Sequence, residues 1–257
     1  AISISPDGQL LFFAACQRDD GYGSCDIYWS WKMGDRWSIP RNLGSVVNSA
    51  TWDSQPSFSS DGRTLYFASK RSGGKGSSDI WKTELLPNGD WSLPVNLGDP
   101  VNTAGVEQNP FIHPDDQTLY FASKGHQGMG GLDLFYTRKS LDGSWGEPVN
   151  LGYPINTYAD EITLVVNSTG DIAYISSDKF GGKGRQDIYS FPLYDEAQPN
   201  PVTYLKGVVF DKESGNRLQA YFELTNLERN EVVVQLVSDP IDGSFLVYLP
   251  TDRDYAL

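Results

Sequence analysis

A repeat of about 54 residues is the feature of this sequence that most restricts its fold, because a fixed period of this length predicts repeated structural units. Four copies align, and Trp37, Trp91 and Trp145 occupy the same position in three of them. An aspartate also recurs at one point of each copy, with almost the same spacing each time. These aspartates are Asp26, Asp79, Asp133 and Asp187. The constant register across four copies predicts that each copy folds in the same way.

Each copy has the character of short β-strands separated by tight turns. The segment Leu65-Tyr66-Phe67-Ala68 is apolar on both sides, which is typical of a strand buried between packed layers. The pairs Asp7-Gly8 and Asp61-Gly62 suit hairpin turns. Gly and Pro, with 26 and 15 residues, are abundant enough for many turns. Four antiparallel strands per copy predict the blade of an all-β propeller.

The repeat motifs resemble the WD40-like repeats of TolB-type β-propellers. The resemblance covers residues 1–194 and rests on Ser5-Pro6-Asp7-Gly8, Leu65-Tyr66-Phe67-Ala68-Ser69 and Asp79-Ile80-Trp81. It implies at least four blades of four strands here, and five or six in the intact protein. The first and last copies are incomplete, and the sequence begins and ends within strand-like runs. We therefore expect a piece of a longer polypeptide whose propeller is N-terminally incomplete.

A second module is predicted after the repeats stop. Residues 195–202 are polar and Pro-rich, as in a linker. Residues 203–257 contain short alternating strands, which predict a small β-sandwich. The patterns Gly207-Val208-Val209 and Asp242-Gly243-Ser244-Phe245 resemble the carboxypeptidase regulatory-like domain, a transthyretin-like sandwich. We expect this domain to be C-terminally incomplete.

The charge of the chain excludes some partners. With 20 basic and 33 acidic residues the net charge is −13, so the chain as a whole repels phosphate backbones and anionic membranes. The simplest role of this acidity is solubility. No apolar run approaches the roughly 18–20 residues that span a bilayer. We therefore expect neither nucleic-acid binding nor direct membrane insertion by this segment.

Familiar catalytic and metal-binding motifs are missing from the sequence. The two histidines, His113 and His126, fall in different predicted loops, and no zinc-ligand spacing occurs. A Gly-x-Ser-x-Gly nucleophile motif is also missing. The sequence therefore predicts no catalytic residue, no cofactor and no metal, and hence a chain that is not an enzyme.

Two repeated residue types have alternative interpretations. The four aspartates can be seen as a ring of cation-binding carboxylates, but an aspartate at a strand start more commonly accepts hydrogen bonds from the preceding loop. The three tryptophans can be seen as a sugar platform, but one residue per blade in the same place favours packing at blade edges. We favour the structural interpretation of both sets.

The two cysteines are predicted to form a disulfide. Cys16 ends one strand and Cys25 begins its antiparallel partner, so the two sulfurs face each other across the hairpin. A disulfide implies an oxidising compartment such as the periplasm. The alternative is a pair of buried thiols in a cytosolic protein.

The best candidate for a binding surface follows from blade topology. Gly-rich loops between the second and third strands emerge at the same end as the blade-to-blade connectors, and we call this end the loop face. Its candidate binding residues are Lys70, Arg71, Lys75, Lys124, His126, Lys179, Lys183, Arg185, Trp52 and Tyr158. The connectors also bring Asp53, Glu107, Asp160 and Glu161. The hypothesis is that this face docks a protein or peptidoglycan; the alternative is a set of mobile hairpin tips.

The order of the two modules resembles the OmpA-family lipoproteins of Bacteroidetes that serve type 9 secretion. The resemblance implies a non-catalytic periplasmic scaffold, associated with the outer membrane and bound to protein partners of an envelope complex. It also implies that peptidoglycan is reached only through a domain outside this chain. An alternative is a propeller lectin or hydrolase acting on glycans or peptides. A cytosolic interaction propeller is a third interpretation.

Overall fold

The chain is almost entirely β-structure. The computed structural model describes residues 2–140, 142–177, 183, 187–251 and 253–256. Strands account for 47% of the chain and helix for 1%. This confirms the all-β class that the sequence predicts.

Four antiparallel sheets follow one another along the repeats. Blade 1 contains β1 (Ile2–Ile4), β2 (Leu10–Cys16), β3 (Cys25–Met33), β4 (Arg36–Trp37) and β5 (Arg41–Asn42). Blade 2 contains β6 (Asp53–Phe58), β7 (Thr64–Ser69), β8 (Asp79–Glu84) and β9 (Val95–Asn96). Blade 3 contains β10 (Glu107–Ile112), β11 (Thr118–Ser123), β12 (Asp133–Arg138) and β13 (Val149–Asn150). Blade 4 contains β14 (Leu164–Val166), β15 (Ile172–Ser177) and β16 (Asp187–Pro192).

The blades stack face to face because their middle strands are apolar on both sides. In β7, Leu65 and Phe67 pack with Phe12 of blade 1, whereas Tyr66 packs with Phe121 of blade 3. Successive side chains of a strand point to opposite faces, so one strand contributes to two separate cores. This stacking of successive sheets is the packing of β-propeller blades.

Two of the hairpin turns at the opposite end from the loop face contain Asp-Gly pairs, Asp7-Gly8 in blade 1 and Asp61-Gly62 in blade 2. Asp61 Oδ1 accepts hydrogen bonds from the amides of Arg63 and Thr64, both at 2.8 Å. Gly62 adopts a φ of 72°, which glycine reaches without steric cost. The turn is therefore fixed by local chemistry.

Two further small sheets follow the propeller repeats. One contains β17 (Val202–Val208) and β20 (Ser244–Pro250); the other contains β18 (Tyr221–Asn226), β19 (Glu231–Val237) and β21 (Tyr255–Ala256). Leu224, Val234, Val247 and Leu249 form a core between them. Arg63 Nη1 donates to Gln235 Oε1 at 3.1 Å, which places this part of the chain at the end of the propeller that carries the Asp-Gly turns.

The segment between the propeller repeats and these sheets packs against blade 3. It begins with a 3-10 helix, Asp195–Ala197. Tyr120 donates its hydroxyl proton to the carbonyl of Ala197 at 2.6 Å, and Ala197 is fully buried. Arg138 donates to the carbonyl of Glu196 at 2.8 Å. The first half of the predicted linker is therefore anchored to the propeller.

Candidate functional site: the loop face

The structure brings the Gly-rich loops and the blade connectors together at one end of the propeller. A backbone hydrogen bond joins a loop to a connector in each of the first three blades. These bonds run from Ser24 N to Thr51 O (2.6 Å), from Ser77 N to Gly105 O (2.8 Å) and from Gly131 N to Ala159 O (3.1 Å). Each loop is therefore held against the connector that leads to the next blade.

The repeated aspartates hold these loops in place by accepting hydrogen bonds from loop backbone amides. Asp79 is 1% exposed and accepts hydrogen bonds from the amides of Lys75 at 2.5 Å and Gly76 at 3.0 Å. Asp26 and Asp133 accept the equivalent pairs of loop amides. Asp187 begins β16, but most of the loop before it lies outside the described residues. This geometry supports the interpretation of the aspartates as loop anchors.

Glycine is required where a loop touches its connector. A Cβ atom on Gly76 would lie 2.3 Å from the carbonyl oxygen of Gly105 and 2.8 Å from that of Thr103. Both contacts are with backbone atoms, which cannot swing aside. The Gly-rich composition thus reflects close packing of the loop against the connector.

Three of the four acidic residues of the connectors do not form part of the exposed surface. Asp53, Glu107 and Glu161 are at most 5% exposed. Glu107 accepts hydrogen bonds from the amide of Thr103 at 2.8 Å and from the hydroxyl of Ser123 at 2.8 Å. Asp160 does remain exposed, and its Oδ1 accepts the amide of Leu132 at 2.8 Å. Of the four acidic residues that the sequence places on the loop face, three are therefore buried and Asp160 is exposed.

Arg71 is a structural residue, contrary to its predicted place in the binding rim. Its side chain is 12% exposed and forms an ion pair with Asp53 at 2.6 Å. It also donates to the carbonyl of Val47 at 2.6 Å and lies over the rings of Phe67 and Trp81. Desolvation of this guanidinium is offset by the buried Asp53 carboxylate. The basic loop composition did not reveal that partner.

His126 is likewise held inward. Its Nε2 lies 2.9 Å from the carbonyl oxygen of Val101, and its ring centroid lies 5.2 Å from that of Phe135 and 5.9 Å from that of Phe121. The ring is half-buried. The ring therefore packs between the loop and blade 3, and its role in partner contact stays a prediction.

The remaining predicted rim residues lie at the surface or outside the described range. Lys70 is exposed 5.4 Å from the half-buried ring of Trp52, and Lys75 forms an exposed ion pair with Asp99. Lys124 and Lys183 are exposed. Tyr158 is 90% exposed. Lys179 and Arg185 lie outside the described residues.

Two exposed apolar side chains of the loop face were missed from the sequence. Tyr153 is 79% exposed on the connector after blade 3, and Met129 is 51% exposed on the loop of that blade. Met129 precedes Gly130, whose Cβ position lies 2.5 Å from the backbone of Tyr158. A comparison of the repeats could have revealed Tyr153, because it occupies the position of Asp99 in the preceding repeat.

A charged cluster on blade 1 adds local electrostatics to the loop face. Arg18 Nε lies 2.9 Å from Asp20 Oδ1, and the Tyr28 hydroxyl donates to the same oxygen at 2.9 Å. The hydrogen bond from the Arg18 guanidinium holds the pKa of Asp20 below its usual range. Burial and the neighbouring Asp20 raise the pKa of Tyr28. Both groups therefore keep their ordinary charge states at neutral pH.

The three repeated tryptophans differ in their surroundings. Trp91 packs against Phe12 and Phe58, with ring centroids 6.0 and 6.5 Å away, and Trp145 packs against Tyr66 at 6.2 Å. Both rings fill the seam between adjacent blades. Trp37 is 41% exposed. The geometry of Trp91 and Trp145 supports blade packing over a sugar platform.

A disulfide joins Cys16, the last residue of β2, to Cys25, the first residue of β3.

In the described part of the chain, no group of three or more His, Cys, Asp or Glu side chains is placed to hold a metal ion. Within the same residues, no helix has the length and apolar character needed to cross a membrane.

Comparisons with known proteins extend the description of the fold. No protein-family model matches the sequence, and no curated protein matches it. TolB from Acinetobacter baumannii is 13% identical, with a TM-score of 0.49 over 98% of this chain and 50% of that one. This chain thus spans about half the length of TolB. The α-L-arabinanase of Penicillium chrysogenum is 12% identical, with a TM-score of 0.48 over 97% and 75% of the two chains. The periplasmic gluconolactonase of Pseudomonas aeruginosa is 12% identical, with a TM-score of 0.41 over 100% and 87%.

These comparisons correct the prediction of a non-enzymatic chain. Two of the three similar structures, the arabinanase and the gluconolactonase, are enzymes. The prediction rested on missing catalytic motifs, but such motifs belong to particular sites and not to a fold. The missing motifs are therefore no argument against catalysis. Because the identities are so low, the likeness concerns the fold alone.

Proposed function

We propose that this chain is the partner-binding part of a bacterial cell-envelope protein, and that the loop face docks a protein. The observation that carries the proposal is the exposure of Tyr158 on a fixed connector. A tyrosine ring that is 90% exposed contributes little to the stability of the free protein. Tyrosine is, however, prominent among the residues that dominate the binding energy of protein interfaces.

The surroundings of Tyr158 favour a binding role. Glu161 accepts hydrogen bonds from the amide and hydroxyl of Thr157 at 3.0 and 2.8 Å, which fixes the connector next to Tyr158. Met129 and Tyr153 add exposed apolar area, and Lys124 adds positive charge. A surface fixed before binding loses little conformational entropy when a partner docks.

The proposed setting of this function rests on the module order that the sequence predicts. We propose a propeller over residues 1–194 with one or two further blades in the intact protein, a linker over 195–202 and a carboxypeptidase regulatory-like sandwich over 203–257. We further propose a periplasmic, outer-membrane-associated protein of the OmpA lipoprotein type, similar to PorE of type 9 secretion. Peptidoglycan would be reached through a domain outside this chain. The Cys16–Cys25 disulfide supports an oxidising compartment.

Affinity capture with the intact protein tests the proposed docking face. Tyr158→Ala should reduce recovery of the envelope partner at least fivefold, because loss of an interface hot spot costs about 2 kcal/mol or more. Tyr204→Ala is a matched control, since Tyr204 is 63% exposed on β17, outside the loop face. Equal recovery by both variants would show that the loop face is not the docking surface.

A second candidate function is recognition or processing of a glycan or peptide. It is favoured by a cavity of about 770 Å³ along the propeller axis, bordered by the innermost strands of all four blades. Cavities of this volume accommodate small ligands. Binding and hydrolysis assays with the purified chain on neutral and anionic oligosaccharides test this candidate.

A further inference from the structure

The axial cavity of the propeller has an uncharged wall. It is bordered by β1, β6, β10 and the segment Thr163–Val165, and Tyr248 of β20 also contributes to the wall. In the described part of the chain, every lining side chain is neutral, although the protein carries 20 basic and 33 acidic residues. Burial of a charged ligand in such a place would leave its charge uncompensated. Such a wall suits a neutral ligand better than a charged one.

The polar side chains of this wall sit on bulged strands. The pairing of β6 with β7 shifts between Ser54 and Ser57, and Gln55 inside this bulge has a φ of 57°. The pairing of β10 with β11 shifts in the same way, and Asn109 there has a φ of 52°. A positive φ is unfavourable for residues other than glycine, and such strain concentrates at functional positions. Both bulges place an amide side chain at the cavity.

Asn109 carries a hydrogen-bond donor that nothing in the described structure satisfies. Its backbone amide donates to Gln55 Oε1 at 2.9 Å, which links the two bulges. Its side-chain Nδ2 is buried and has no hydrogen-bond partner among the described residues. Leaving a buried donor unpaired is costly, which marks this amide as an energetically unfavourable element of the wall. Asn109 also lines the cavity, so a ligand there lies beside this amide.

Two serines of the wall are available as further donors. Ser3 Oγ accepts the amide of Phe58 at 2.9 Å, and Ser57 Oγ accepts the amide of Ile112 at 3.0 Å. These bonds connect neighbouring blades. Because each hydroxyl oxygen acts as the acceptor, its own proton is available to donate to a ligand.

The strand edges disfavour a peptide as the occupant. A peptide that binds by strand addition needs free backbone donors along an edge. Pro56 and Pro110 follow the two bulged residues and remove a donor from β6 and from β10. Hydroxyl and amide side chains remain, together with the rings of Phe111 and Tyr248. This combination suits a ligand that is rich in hydroxyl groups and has apolar ring faces.

We propose that the axial cavity binds a neutral saccharide in contact with the side chain of Asn109. The inference deepens the second candidate function and is independent of the docking role of the loop face. The described wall offers recognition groups and no carboxylate, whereas glycoside hydrolysis usually needs a pair of them. The proposal therefore concerns binding.

Calorimetric titration of the purified chain with neutral trisaccharides tests the proposal. The probes are triacetylchitotriose, cellotriose and maltotriose, with anionic trigalacturonate for comparison. At least one neutral probe should bind, and trigalacturonate should not. Asn109→Gly should weaken binding about tenfold, equivalent to about 1.4 kcal/mol. Glycine accepts the positive φ, so this variant removes the amide without adding backbone strain.

Asn230→Gly is the matched control, because Asn230 has the same φ of 52° in an exposed turn. It should leave the Kd unchanged, as should Tyr158→Ala on the loop face. Three results would overturn the proposal: no binding of any neutral probe, equal binding of trigalacturonate, or the same Kd for Asn109→Gly and Asn230→Gly. Partner capture is tested by Tyr158→Ala and saccharide binding by Asn109→Gly. Failure of the docking proposal and failure of the saccharide proposal are therefore distinguishable.

Discussion

Replacement of Asp79 by alanine should loosen one loop of the binding face and destabilise its blade. The Asp79 carboxylate accepts three hydrogen bonds: from the amides of Lys75 (2.5 Å) and Gly76 (3.0 Å), and from Asn96 Nδ2 (3.1 Å). Hydrogen bonds to charged groups contribute about 1.5–3 kcal/mol each. Because the loop lies at the surface, water replaces part of this contribution. We therefore expect a loss of about 3 kcal/mol in the free energy of unfolding.

Urea unfolding followed by tryptophan fluorescence measures this loss. Asp90→Ala is the control, because Asp90 is exposed in the β8–β9 loop and, among the described residues, its carboxylate accepts one hydrogen bond, from the Asn88 side-chain amide. Exposed substitutions of this kind change stability by about 0.5 kcal/mol or less. A loss below about 1 kcal/mol for Asp79→Ala would refute the reasoning that the repeated aspartates anchor the loops.

Amide hydrogen exchange gives a second, local readout of the same substitution. In Asp79→Ala the amides of Lys75 and Gly76 lose their acceptor, and Ser77 loses a fixed position against Gly105 O. We expect faster exchange at these three residues and unchanged exchange in β11, which belongs to the next blade. Uniformly faster exchange across the propeller would instead indicate global destabilisation.

Three further predictions follow from other parts of the structure. Replacing Cys16 and Cys25 together by serine should cost about 2–3 kcal/mol, as expected for a short closed loop, measured by thermal unfolding against the oxidised wild type. Burial and the nearby Asp61 raise the pKa of Asp116 to about 7. The stability that this proton contributes is therefore fully present below about pH 4 and is lost as the pH rises through 7. Over that range the free energy of unfolding should fall by up to about 1.4 kcal/mol per pH unit, and Asp116→Asn should remove this slope. Gly146→Ser should stabilise blade 3 by about 0.5–1 kcal/mol in urea unfolding, because the serines at this position of blades 1 and 2 accept a strand amide; no gain would show that the hydroxyl is dispensable there.

The sequence predicts the blades well because their determinants are local and repeated. A strand such as Leu65–Ser69 is apolar on both faces in every copy, and Asp61-Gly62 marks its turn. The spacing of the aspartates likewise predicts their place at strand starts, where they accept loop amides. Features that depend only on the period and on neighbouring residues are therefore accessible without a structure.

Features that depend on contacts across the fold were not accessible. Arg71 belongs to a basic loop, yet its partner Asp53 lies on another strand, and nothing local predicts their ion pair. The inward position of His126 depends on the neighbouring connector at Val101. The bulges at Gln55 and Asn109 carry no clear signal beyond a following proline, so the polar axial cavity emerged only from the arrangement of the blades.

Site-specific photo-cross-linking in intact cells tests the docking role of the loop face most directly. A photoreactive phenylalanine analogue at position 158 lies on the loop face, and the same analogue at position 204 lies on β17, at a residue that is also exposed. If the loop face docks a partner, position 158 should give one discrete protein adduct, and position 204 should give none of that mass. An adduct formed only from position 204, or equally from both, would contradict the loop face as the partner-binding surface.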